Sequence, residues 1–118
     1  MASGIKDHPN VGQMHIVTGR ITYSSGVPSL STNDGSASIA DTSTGIATVT
    51  FGDAFQSAPA VAASLLQASS DPHWTVAVGT ASTTSLVIRW YDDDGTPALA
   101  DPADGDGCTF LVIGLRDN

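Results

Sequence analysis

The chain has 118 residues and an apolar content of 41%, enough for one domain with an ordinary core and too little for several. Its formal net charge is −8, and its four basic residues, Lys6, Arg20, Arg89 and Arg116, are scattered; a phosphate backbone needs clustered cations, so nucleic acid is not expected as a partner. All twelve acidic residues are Asp and none is Glu, a choice that suits turns, where a short carboxylate bonds nearby backbone N–H groups, and not the surfaces of helices.

In chain order, residues 1–13 are polar and include Gly, Asn and Pro, with Ile5 and Val11 as their larger apolar side chains. They read as an extended N-terminal arm, and the β domain is expected over 14–118. They lack the apolar stretch of a signal peptide, and no apolar run approaches the roughly 18 residues of a membrane helix, so a soluble protein made in a cytoplasm, with no membrane partner, is expected. Residues 14–23 are rich in β-formers, with Gly19 a candidate bulge. A turn follows at Ser24-Ser25-Gly26, then a short strand over 27–31 that Pro28 confines to a sheet edge. Asn33-Asp34-Gly35 carries the signal of a tight hairpin.

Residues 36–40 read as extended and 41–45 as a turn. Residues 46–51 alternate, with Ala47, Val49 and Phe51 on one side and Ile46, Thr48 and Thr50 on the other, as in a half-buried strand. Residues 60–68 tolerate either helix or strand, and the surrounding strands favour strand. A hairpin is expected from 73–81 and 85–91, then a long loop over 96–107. The most apolar stretch, 108–115, reads as a central strand buried on both faces for part of its length. Seven or eight short strands at regular spacing predict an all-β, antiparallel sandwich or jelly-roll-like fold. The expected core is Ile16, Ile21, Val49, Phe51, Phe55, Val61, Leu65, Val76, Val78, Leu86, Ile88, Trp90, Phe110, Val112 and Ile113.

Signs of catalysis are sparse. His8, His15 and His73 stand at no metal-ligand spacing with one another or with Cys108, and no nucleophile-elbow motif accompanies the fourteen serines. No enzyme activity, catalytic residue, metal or cofactor is expected. The Asp-rich runs 92–95 and 101–107 offer hard oxygen ligands of the kind calcium takes, but they match no EF-hand loop and read better as solvated turns. Cys108, the lone cysteine, reads as a small buried hydrophobe. Trp74, at a loop-to-strand corner beside His73, is a candidate anchor for a sugar or a protein, or else a cap on the core.

The run Ile46-Ala-Thr-Val-Thr-Phe51-Gly-Asp-Ala-Phe55-Gln-Ser-Ala-Pro59-Ala-Val61, with Phe110-Leu-Val-Ile113-Gly114 near the end, resembles small β-sandwich modules of tailed-bacteriophage virion proteins and H-type lectin-like domains. The resemblance covers roughly residues 44–115. It implies a structural virion protein, foremost a capsid decoration (cement) protein seated on the major capsid protein at the virion surface. The alternative it implies is a tail-fibre tip or a lectin-like module that binds carbohydrate. A homo-oligomer, with a trimer as one form, goes with either. In the decoration reading the partner contacts are expected from Ile5, Lys6, His8 and Val11 in the arm and from Trp74.

Overall fold

The computed structural model describes residues 14–67, 74–92 and 97–117; the arm expected over 1–13 lies outside them. Within the described residues the chain forms nine strands and no helix: β1 (Met14–Ser24), β2 (Val27–Thr32), β3 (Ser38–Ser43), β4 (Ile46–Thr50), β5 (Ala60–Leu66), β6 (Trp74–Ala81), β7 (Ser85–Asp92), β8 (Ala98–Leu99) and β9 (Gly107–Leu115). Sheet A has the order β2-β1-β9-β5, and sheet B the order β3-β4-β7-β6 with β8 added on β7. All the pairings are antiparallel. The two sheets pack face to face as the expected β-sandwich. The ninth strand, one more than the upper expectation, is the two-residue β8 inside what reads as a plain loop.

Residues 60–66 are a strand, as their neighbours imply, and β2 is an edge strand with Pro28 in it. The β1–β2 turn has Ser25 at φ 52 and Gly26 at φ 76, positive at both central positions as a type I′ hairpin requires. Asn33-Asp34-Gly35 is different from its signal. Gly35 is not among the residues with positive φ, and the segment carries the chain from sheet A to sheet B. Asp34 shapes this crossover by accepting the N–H of Ser36 (3.1 Å) and of Gly52 (2.8 Å). Asp-Gly promises a hairpin only when the flanking strands pair with each other, and these belong to different sheets.

Three further expectations need correction. Gly19 is no bulge, because β1 runs in unbroken register with β9 on either side of it. A Cβ there would stand 2.4 Å from the Phe110 ring, so the glycine makes room for that ring. Second, Ile16 is 43% and Val78 37% exposed, and Ile113 is only half-buried, whereas Val17, Tyr23 and Ala47 are buried; Cys108 is buried as expected. The inward set of β1 is His15, Val17, Gly19, Ile21 and Tyr23. A His and a Gly on the core side disguise the period, and shifting the alternation by one residue turns every side chain over. Third, β9 is buried at Gly107 and Cys108 but alternates beyond them, leaving Leu111 42% exposed.

The core joins both sheets. Trp90 of β7 is fully buried, its indole N–H donates to the Gly107 carbonyl of β9 (3.2 Å), and the Tyr23 ring of β1 meets it edge-on at 5.0 Å. Phe55 plugs one end, against Phe51 at 5.2 Å.

Gly107 gives a sharp test of this packing. An added Cβ would stand 1.8 Å from the Ile21 carbonyl oxygen, whereas at Gly35 it would meet nothing within 4 Å. Gly107→Ala should lower stability by about 2–3 kcal/mol in urea titration, and Gly35→Ala should change it by less than about 0.5 kcal/mol. Equal effects would contradict the close approach of β1 and β9.

Candidate functional site

The surface that departs most from the rest of the chain is the outer face of sheet A. Among the described residues, four of the six large apolar side chains that stand exposed lie on it: Met14 (64%), Ile16 (43%), Val27 (58%) and Leu111 (42%). Strand pairing makes most of them neighbours. Ile16 lies opposite Ile113, Met14 opposite Leu115, and Leu111 stands between Thr18 and Ala62. Beside Leu111 a shallow hollow of about 210 Å³ is lined by Ala62, Ala63, Ser64, Thr109 and Phe110. The four strands of sheet A contain no acidic residue, and Arg20 is their only formal charge. In a chain of net charge −8, this is a marked segregation. Depletion of charge around exposed apolar side chains is the character of the centre of a protein interface.

A second, polar feature closes the end of the sandwich below Phe55. His15 is buried and its ring lies 4.8 Å from that of Phe55. The Arg116 guanidinium reaches His15 Nδ1 at 3.2 Å and Asp53 at 3.8 Å. Asn33 and Asp34 line the same pocket of about 190 Å³. Since Nδ1 faces a guanidinium it serves as acceptor, which leaves the proton on Nε2. His15 Nε2 and Arg116 Nε have no hydrogen-bond partner among the described residues. Among the described residues the hydrogen-bond partner of the imidazole is the Arg116 guanidinium, and the Phe55 ring packs against it. The Arg116 and Asp53 side chains are 41% and 61% exposed, and such pairs contribute little to stability.

The acid-rich loop before β9 works as a clamp. Asp101 Oδ1 accepts the N–H of Gly45 (2.8 Å), in the β3–β4 turn where φ is 74. Asp104 Oδ1 accepts the N–H of Ser25 (2.8 Å), in the β1–β2 turn. Gly105 N–H donates to the Tyr23 carbonyl, and Tyr23 N–H to that of Asp106. One loop thus ties together a hairpin of each sheet, using carboxylates as backbone acceptors. Among the described residues no three His, Cys or acidic side chains converge as a metal site would need. Burial, with smaller contributions from Asp101, Asp41 and Cys108, pushes the Tyr23 phenol well above its ordinary range. Burial also pushes the Cys108 thiol up to about 12, which keeps the reactive thiolate scarce near neutrality.

Of the residues expected to bind a partner, Ile5, Lys6, His8 and Val11 lie outside the described residues, as do His73 and Asp93–Asp94. Trp74 opens β6, half-buried and opposite Asp92. It shares its side of the strand with Val76, which pairs with the buried Trp90, so it lies toward the core. Met14, Ile16 and Leu111 escape a reading of the sequence because an apolar residue in a strand is taken as core. The signal that finds them is the pairing of β1 with β9, which no local pattern contains. Compared with known proteins, the chain matches no family model, no curated protein and no solved structure.

The clamp can be tested at Asp101. Asp101→Ala leaves the buried Gly45 N–H without its acceptor and should cost about 1–3 kcal/mol in chemical denaturation, whereas Asp101→Asn keeps an acceptor and should cost less than about 1 kcal/mol. An equally large loss in the Asn variant would mean that the charge, and so a bound cation, holds the loop.

Proposed function

We propose that the chain is a non-catalytic structural module of a tailed-phage virion, a capsid decoration protein that docks on the major capsid protein through the outer face of sheet A. The observation that carries the docking is the face around Ile16, Leu111 and Ile113, whose strands hold no acidic residue and only Arg20 as a formal charge, on a protein of net charge −8. Burying such a face costs no desolvation of carboxylates, and each large side chain removed from water contributes about 1.5–3 kcal/mol before the costs of association. The acidic remainder keeps the particle exterior hydrated and repels unwanted contacts. β1 begins on this face with Met14, and in this reading the arm expected over 1–13, with Ile5, Lys6, His8 and Val11, adds contacts to a neighbouring subunit. The assignment to a virion comes from the resemblance of the segments around Phe51–Pro59 and Phe110–Gly114 to phage β-sandwich modules. The position of Trp74, turned toward the core, speaks for this reading over a sugar-stacking one.

The experiment is co-sedimentation of the purified chain with capsids that lack it. It should pellet at a fixed ratio to the capsid subunit. The double variant Ile16→Asp, Leu111→Asp should keep its β-type circular dichroism and bind at least about tenfold more weakly, the effect of burying unpaired charge in an interface. Absence of binding by the unaltered chain, or unchanged binding by the variant, would refute the proposal.

A further inference from the structure

A sheet edge exposes a row of backbone N–H and C=O groups that invites another strand, and folded proteins block such edges with proline, charge or bulges. Here the outer strands are β2 and β5 in sheet A and β3 and β6 in sheet B. Three of them carry a block. Opposite Pro28 of β2, Tyr23 gives its N–H and C=O to Asp106 and Gly105. Pro28 therefore stands in a non-hydrogen-bonded pair, with its donorless nitrogen on the outside. β3 carries Asp41 and a register shift between Asp41 and Ser43, and β6 a shift between Val78 and Thr80; bulges of this kind twist an edge away from partners.

β5 has none of these devices. Its register with β9 is unbroken from Ala60 to Leu66, and it contains neither proline nor charge. The hydrogen-bond alternation shows which groups it offers. Tyr23 turns toward β9, and so do its alternates Ile21, Gly19 and Val17; their partners Cys108, Phe110 and Val112 therefore face β1. Thr109, Leu111 and Ile113 then face β5 and bond Ser64, Ala62 and Ala60, which turns the N–H and C=O of Val61, Ala63 and Leu65 to the outer edge, where no strand lies among the described residues. The side chains of these three residues are only half-buried, although their partners on β9 are buried. Both the ladder and the core stop unfinished at this strand.

We propose that β5 pairs antiparallel with β5 of a second copy of this chain, joining two copies of sheet A across a twofold axis into one eight-stranded sheet. A second copy is the occupant that the chemistry selects. Each copy carries a net charge of −8 and residues 54–70 carry none, so two copies meet without repulsion along this edge. A twofold antiparallel pair is self-complementary, and it sets the small Ala and Ser side chains of one edge against those of the other, letting the backbones close. The joined sheet A then presents one continuous outer face without acidic residues, on which Arg20 of each copy is the only formal charge of the strands.

Sedimentation velocity on the full chain tests this directly. At about 100 μM the unaltered chain should sediment as a dimer. Ala63→Pro removes a donor at the middle of the open edge while sparing the bonds to β9, as Pro28 does in β2. Ser64→Lys sets like charges against each other near the axis. Each variant should sediment as a monomer at that concentration, with its dissociation constant raised at least about tenfold and its circular dichroism retained. If Ala63→Pro loses its fold, Ser64→Lys decides, since its side chain points to solvent. A monomeric unaltered chain overturns the proposal, and so does a dimer that survives Ser64→Lys. The measurement uses this chain alone and is independent of what the outer face of sheet A docks on.

Discussion

The two sheets are held in register by the burial of Trp90. Its indole lies between β7 and β9, edge-on to Tyr23 of β1, and has one polar atom to satisfy, the Nε1 proton. That proton finds the Gly107 carbonyl, at the point where β9 enters sheet A. Gly107 must lack a side chain because β1 passes against it, so one residue serves as acceptor and as point of closest approach. Filling this place with an aromatic ring contributes about 3–5 kcal/mol, judged by what deleting such rings costs in other cores. The clamp loop follows from the same geometry. It must return the chain from β7 to the start of β9 across the ends of two hairpins, and Asp101 and Asp104 tie it to both turns on the way.

That arrangement settles where the charges go. Four of the described aspartates stand at turns and crossovers: Asp34 at the passage between sheets, Asp101 and Asp104 on the hairpins, Asp53 beside Arg116; Asp41 and Asp92 lie in strands of sheet B. Sheet A is left with strands built from Thr, Ser, Ala and aliphatic residues. The same segregation supports both readings of its surface. A face without carboxylates docks on a protein partner without desolvation cost, and an edge without charge pairs with its own copy. The net charge of −8 makes this tolerable in solution, since it keeps the exposed apolar side chains from driving indiscriminate association.

The class of fold was legible in the sequence because the signals were local. The alternation of residues 46–51, the hairpin of 73–91 and the edge proline each speak for themselves, and the corresponding strands stand where they were expected. What escaped depends on pairing. His15 faces the core because Phe55 and Arg116 receive it there, and this forces Ile16 outward against the local pattern. Gly19 looks like a bulge until the Phe110 ring is seen above it. The Asp-Gly at 34–35 looks like a hairpin until β2 and β3 prove to lie in different sheets. The docking face was therefore invisible: its members are aliphatic residues of strands, and only the register of β1 against β9 tells the outward ones from the inward.

The central claim is that the apolar side chains outside sheet A serve contact with a partner and not the stability of the domain. It is tested by replacing Met14, Ile16 and Leu111 together with Thr, which keeps the strand preference and removes most of the apolar surface. The account predicts a thermal midpoint within about 2 °C of the unaltered chain, because none of these side chains belongs to the core or packs against it. A midpoint lowered by about 10 °C or more would show that they are already covered inside the protein. The outer face of sheet A would then be part of the core and not a surface for docking.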